Sequence, residues 1–251
     1  NKEIWKIALP IMLGNLAQTI ITFTDTAFLG HLGVVSLGAS MMAGMYYFVY
    51  TTLALGFAVG IQIIIARRFG EKRFNEIATI FNHGAIFVAI LGISLLLLLL
   101  LFSKSILVHI IDSPNIFAES MEYIKFRQFG IIFVCFNYLY RSLYIGLSNT
   151  KVITYSTLLM AVVNIFLDYC LIFGKLGFPE MGIGGAALAS LSAEISASIF
   201  FTIYTFFKVH LKDIKVFSRH KIEMPLLKNI LSIGAPTMVQ RLLSFSAWFI
   251  F

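Results

Sequence analysis

Seven long apolar runs, separated by short stretches rich in Lys, Arg, Asn and Gly, set the plan of this 251-residue chain. They cover residues 4–29, 36–66, 77–102, 122–147, 152–174, 183–207 and 226–251. A helix needs about 20 apolar residues to cross a bilayer core of about 30 Å. Each run meets that length and is predicted to form one membrane-spanning helix. The second run is long enough to include an interfacial end. The third holds an unbroken Leu95–Leu101 stretch, a composition suited to facing lipid.

The polar residues inside these runs carry most of the information. In the first run Asn15, Gln18, Thr22 and Asp25 follow i, i+3, i+7, i+10 and form one helical stripe where lipid would demand Leu. Asp25 lies five residues before Gly30, the expected outer end of that helix. In the fifth run Asn164 and Asp168 share one face, and Asp168 lies six residues before Gly174. Both acids thus fall roughly 8–9 Å below the outer end. The sixth run returns inward through Gly184-Gly185-Ala186-Ala187-Leu188-Ala189-Ser190, whose small side chains permit close backbone approach. Ser190 reaches a similar depth, and Glu194 lies one turn beyond it. A carboxylate at membrane depth costs about 2.5–3.5 kcal/mol on insertion scales, so such residues mark ion paths, relays or binding sites. Oxygen groups from three helices converging at one level suit a hard cation such as Na⁺, or a proton shared by two acids. Glu194 could join this network or make a separate bond between helices.

Composition and charge fix the class and the orientation. The chain is 59% hydrophobic and 12% charged, against about 45–50% and 25% in soluble domains. The net charge of +7 calls for no nucleic acid. Thirteen of the 19 Lys and Arg fall on one side, at the N-terminus and in the second, fourth and sixth connections. Lys104, Lys125, Arg127 and Lys175 fall on the other, and Arg141 and Arg241 lie inside helices. The positive-inside rule then puts the N-terminus in the cytoplasm. Cys135 and Cys170 both lie in apolar runs and read as core thiols. No His-Glu-x-x-His, Cys-x-x-Cys or nucleophile-turn motif is present, and no enzyme is indicated.

The chain also repeats. A shift of 226 residues aligns Lys2 with Lys228, Ile4 with Ile230, Ile7 with Ile233, Pro10 with Pro236, Met12 with Met238, Leu16 with Leu242 and Phe23 with Phe249. Six helices separate the copies, so both run from inside to outside, as in transporters built from parallel repeats. Residues 1–221 are therefore expected to form a six-helix lobe with its cytoplasmic loop. Residues 222–251 are expected to begin a second lobe whose first helix is truncated. The chain should be part of a protein about twice its length, with the second lobe as its internal partner.

Three stretches resemble the multidrug and toxic compound extrusion (MATE) transporters. They are Pro10 followed by Asp25-Thr26-Ala27-Phe28-Leu29-Gly30-His31-Leu32-Gly33, Gly146-Leu147-Ser148-Asn149-Thr150-Lys151, and Gly185-Ala186-Ala187-Leu188-Ala189-Ser190. The Asn164-x-x-x-Asp168 pair is similar to the DinF-like branch. This resemblance implies an all-α polytopic membrane protein with two six-helix lobes in a twelve-helix fold, monomeric in the plasma membrane (the inner membrane of a bacterium). It implies export of organic, often cationic, compounds in exchange for Na⁺ or H⁺, with no other cofactor. The implied cation ligands are Asp25, Asn164, Asp168, Ser190 (Thr in the family) and the Ala186 carbonyl. Asn15, Gln18, Thr22 and Glu194 are candidates for a substrate or coupling network, and Pro10 for a hinge in the first helix. A lipid-linked precursor or polysaccharide flippase of the related superfamily is the alternative. It would need Arg or Lys lining its cavity to hold a pyrophosphate, whereas the intramembrane charges here are mostly acidic. Tyr46, Tyr47, Tyr50, Tyr138 and Tyr140 are candidate cavity residues.

Overall fold

A computed structural model describes residues 2–210, 214, 216 and 224–250. Among these the chain is helical throughout, without a strand. Eight helices follow in order: α1 (Lys2–Leu32), α2 (Val34–Gly70), α3 (Phe74–Ile110), α4 (Pro114–Arg127), α5 (Gly130–Gly146), α6 (Lys151–Phe173), α7 (Gly182–Thr205) and α8 (Met224–Ile250). A single wide π-turn, Phe206–His210, prolongs α7.

Six of the seven predicted spans appear as single helices. The fourth does not. Residues 122–147, read as one helix, belong to two, and these meet at an angle of 55°. Pro114, a residue suited to the first turn of a helix, starts α4 a full two turns earlier than expected. At the break the amides of Phe129 and Ile131 bond three residues back, to Phe126 and Gln128, so the chain tightens before α5 begins. The first helix also passes Gly30 and ends at Leu32. The reversal falls at Gly33, whose φ of 134° is open to glycine and hostile to other residues. Gly174 ends α6 as expected, left-handed at φ 63°, with the Lys175 amide bonding back to the Cys170 carbonyl.

α2 is the spine of the bundle, contacting α1, α3, α4, α5 and α8. Its inner face buries Tyr47, Phe57, Ile61 and Ile65 against Ile77, Ile80, Leu139, Leu143 and Tyr144. Because lipid tails are as apolar as leucine, close packing and hydrogen bonds between helices must do the rest. Hydroxyls supply many of these bonds. Ser120 donates to the Ala39 carbonyl at 3.2 Å, Ser142 to Ala58 at 2.6 Å, Thr154 to Pro10 at 2.6 Å and Thr237 to Gly56 at 2.7 Å. Between α5 and α7, Asn137 meets Ser198, Tyr140 meets Thr202 and Tyr144 meets Thr205. Cys135 and Cys170 are buried free thiols, as expected.

α8 lies on α2 along a glycine seam. A Cβ at Gly60 would stand 2.7 Å from the Gly234 Cα, and one at Gly56 would stand 2.5 Å from the Met238 Cα. The Gly56-x-x-x-Gly60 spacing is what lets the two backbones touch. The expected inter-lobe boundary between 221 and 222, and the basic cluster Lys212, Lys215, Arg219 and Lys221, lie outside the described residues.

Among the described residues four helices are long and apolar enough to cross a membrane, or five spans when α4 and α5 are taken as one bent crossing. Large apolar side chains point outward around the bundle, among them Leu97 and Leu101 on α3, Val162 and Phe166 on α6, and Ile199 and Ile203 on α7. Such a girdle is suited to lipid, and the chain is a multi-pass membrane protein.

Candidate functional site

Asp25 and Asp168 meet inside the bundle, brought together by the packing of α1 on α6. Asp168 is completely buried and Asn164, one turn away, is 1% exposed. Asp25 Oδ1, both oxygens of Asp168, and both polar atoms of the Asn164 amide are buried without a hydrogen-bond donor or acceptor. The two carboxyls face each other across α1 and α6. Carboxylates only accept, so two of them facing each other are satisfied by a shared proton or by a cation between them. Buried polar groups are nearly always paired, and a cluster of orphaned oxygens is therefore a site built for something small and positive. Asn164 adds a carboxamide oxygen. Among the described residues no three His, Cys, Asp or Glu converge, so the donor set is hard oxygen and fits an alkali cation or a proton better than a soft metal.

The pair opens on one side. A cavity of about 700 Å³ is walled by α1, α2, α4 and α7, and its lining includes Thr22, Asp25, Tyr123, Ala186 and Ser190. Ala186 and Ser190, one turn apart on α7, sit on this wall because Gly185 lets α7 press against α6. A Cβ there would stand 2.7 Å from the Leu171 carbonyl. Apart from Asp25 the cavity is mainly apolar or hydroxylic, with Met41, Met45, Phe48 and Ser40 from α2. Among the described residues no Lys or Arg lines it.

Of the five expected cation ligands, Asp25, Ala186 and Ser190 line one cavity, Asp168 meets Asp25, and Asn164 is buried one turn from Asp168. The other candidates divide. Thr22 lines the cavity and donates its hydroxyl to the Gln18 carbonyl. Asn15 and Gln18 are exposed on α1, away from the cavity lining. Of the tyrosines, the cavity takes Tyr123, which the sequence reading did not single out. Tyr46 bonds Tyr50 and Ser103, and Tyr140 bonds Thr202.

Glu194 makes the separate bond between helices. Its carboxylate accepts from both Arg127 nitrogens, at 2.5 and 2.8 Å. Arg127 also donates to the Tyr47 hydroxyl at 3.2 Å and lies over the Tyr47 ring at 4.2 Å. This corrects the placement of Arg127 among outer-loop cations. It ends α4 at the break, and its side chain is only 13% exposed. Gly130 makes the room, since a Cβ there would collide with Glu194 Oε2 and come within 2.5 Å of Arg127 Nη1. The signal in the sequence is Arg127-x-x-Gly130 inside the run 122–147, where Arg127 counts among the outer-side cations.

At the opposite end of the bundle Arg67, Arg68 and Arg73 clasp Glu71 and Glu76 across the turn between α2 and α3. The Arg68 and Arg67 guanidiniums hold the Glu71 carboxyl below its ordinary value.

A model of the MatE family matches residues 10–170, a span that runs from α1 to α6 and contains Asp25, Asn164 and Asp168. A probable multidrug resistance protein NorM of Agrobacterium fabrum is 28% identical over 234 residues, which is 93% of this chain and 50% of that protein. One of Streptococcus pneumoniae is 30% identical over 233 residues, 92% of this chain and 51% of that protein. A solved structure of an outward-facing multidrug resistance MATE family transporter of the MOP superfamily superposes with a TM-score of 0.87 at 26% identity, covering 96% of this chain and 52% of that one. A MOP superfamily transporter from Pyrococcus furiosus gives 0.85 at the same identity and coverage. The chain spans about half the length of these relatives. A helical bundle of the same shape, with the family model matched over the helices that carry the paired acids, makes this chain a member of the MatE family.

Proposed function

We propose that this chain is the N-terminal lobe, with the first helix of the C-terminal lobe, of a cation-coupled exporter of organic cations. The pair Asp25–Asp168 would be its coupling site. The observation that carries the reading is the facing pair of buried acids, without donors, opening through Asp25 onto a 700 Å³ cavity. Loading by Na⁺ or H⁺ offsets one of the two negative charges and bridges the pair. Unloading leaves like charges facing each other in a poorly polarisable surrounding, which pushes α1 from α6. Pro10, about 22 Å along α1 from Asp25, weakens the helix at its other end and offers a hinge there. A ligand shifts such an equilibrium only by binding the two states differently, and the pair meets that condition because its two oxygen clusters sit on different helices. One charge crossing 100 mV supplies about 2.3 kcal/mol to the cycle.

The lining favours the substrate class. One carboxylate, a tyrosine and three methionine or phenylalanine side chains suit a cation with an apolar body. A lining without Lys or Arg suits a pyrophosphate-bearing lipid poorly. The names of the NorM relatives support multidrug efflux, and the distribution of Lys and Arg supports a cytoplasmic N-terminus in a plasma membrane. The DinF-like branch rests on Asn164 and Asp168 alone.

The test is efflux of a fluorescent organic cation from proteoliposomes holding the full-length protein, under separately imposed Na⁺ and pH gradients. Asp25→Asn and Asp168→Asn should each abolish gradient-driven efflux with insertion intact. Efflux at the parent rate in both variants would refute the assignment.

A further inference from the structure

Arg127 is a cation locked beside a site meant for a different cation. Its guanidinium is gripped from three helices: by Glu194 of α7 through two hydrogen bonds, by the Tyr47 ring and hydroxyl of α2, and by its own α4. The Glu194 backbone is fixed in turn, since Asn137 of α5 donates to its carbonyl at 3.0 Å. Asp25 of α1 lies within electrostatic reach of Arg127, and Tyr123, one turn before Arg127 on α4, shares the cavity wall with Asp25. Among the described residues the charged and titratable groups around the guanidinium are Glu194, Asp25, Tyr47, Tyr123 and Tyr138.

A buried guanidinium takes whichever carboxylate is nearest, because an unpaired charge at that depth costs several kcal/mol. Two carboxylates compete for this one. Glu194 holds it, and Asp25 lies on the cavity wall that Tyr123, one turn before Arg127, also lines. From this we infer that Glu194 is a positioning residue of the coupling site: it keeps Arg127, a tethered competitor, off Asp25. The inference rests on the reading of Asp25 and Asp168 as that site. It gives Glu194 a role that requires it never to bind the coupling ion. It also explains Gly130, whose missing side chain lets the pair form at the helix break rather than further along the cavity.

The consequence is specific. With Glu194→Gln the guanidinium loses its carboxylate and turns to Asp25. If it occupies Asp25 nine-tenths of the time, the apparent affinity for the coupling ion falls about ten-fold. Removing the competitor as well should restore the site. Arg127→Met with Glu194→Gln deletes both charges, and exchanging a buried pair for uncharged side chains is often neutral or stabilising.

The experiment uses the full-length protein in proteoliposomes, with Na⁺ and pH gradients as the imposed drives and an organic-cation dye as reporter. Four forms are compared: parent, Asp25→Asn, Glu194→Gln and Arg127→Met/Glu194→Gln. The expected result is loss in Asp25→Asn, an ion requirement raised about ten-fold in Glu194→Gln, and a double variant close to the parent. A folded double variant that stays inactive would overturn the inference, since Glu194 would then carry the ion itself. A Glu194→Gln protein with the parent's ion requirement would overturn it too. Should Glu194→Gln fail to accumulate, the double variant alone decides, by its ion requirement. An active Asp25→Asn protein overturns the coupling site instead, which separates the two failures.

Discussion

The close approach of α6 and α7 at Gly185 makes a sharp prediction about the cation site. Replacing Gly185 with Ala puts a methyl 2.7 Å from both the carbon and the oxygen of the Leu171 carbonyl, and 3.0 Å from the Ile172 nitrogen. Carbon atoms pack at about 3.5–4.0 Å, so the helices must part by close to 1 Å. All three neighbours are backbone atoms, and no change of rotamer can relieve them. Overpacking of this kind costs about 1–3 kcal/mol. The gain from removing a helical glycine, about 0.5–1 kcal/mol, offsets only part of it. The displacement also carries Ala186 and Ser190 away from Asp168, whereas a binding constellation tolerates only about 0.5 Å. Stability and ion response should therefore fall together. The assay is thermal unfolding of the purified full-length protein with and without added Na⁺, beside gradient-driven efflux. Gly185→Ala should unfold roughly 2–6 °C lower and respond less to the ion. Gly70→Ala, at a position with nothing within 4 Å, should match the parent or gain slightly. A Gly185→Ala protein as stable and as ion-responsive as the parent would refute the close seam.

Other positions give independent checks. Thr154→Val removes the hydroxyl that bonds the Pro10 carbonyl at 2.6 Å; it should cost about 0.6–1.7 kcal/mol and speed amide exchange in α1 around Pro10. Cys135 and Cys170 are buried and should resist a membrane-impermeant maleimide until the protein is denatured. Glu71→Gln should open the clasp between α2 and α3, read as faster amide exchange at residues 68–74 with efflux unchanged. Since Arg68 and Arg67 lower the Glu71 carboxyl from its ordinary 4.5, protection by the clasp should be complete above that value. It should fade as pH falls through the lowered one, and should weaken with salt at any pH.

The sequence made the helices and the acid pair legible for the same reason. In a membrane the rule that polar residues are costly is strict, so length of apolar run and position of each exception carry direct meaning. Asp25, Asp168 and Ser190 could be placed at one depth, with Asn164 one turn deeper, from helix ends alone. What escaped was the bend. Residues 122–147 read as one span, with Glu122, Lys125 and Arg127 at its start, and no proline marks the break at Gln128–Gly130. At the bend sits a contact between Arg127 and Glu194, 67 residues on, and run-length reasoning has no term for that. The same contact moved Arg127 from the surface to the interior. Tyr123 was missed for a related reason: it lies on α4, which begins at Pro114, so its facing depends on a helix start and a bend that an unbroken span does not contain.

The hydroxyl locks between helices have a consequence for mutational robustness. Ser120, Ser142, Thr154 and Thr237 all donate to backbone carbonyls, at Ala39, Ala58, Pro10 and Gly56. The carbonyl half of each lock belongs to whatever residue occupies the position. A substitution there leaves the acceptor in place so long as the new side chain is small enough for the helices to keep their distance. Only the donor half has to be inherited. Helices fastened in this way can change many residue identities and keep their spacing, because half of each of these four fastenings is common to all twenty amino acids.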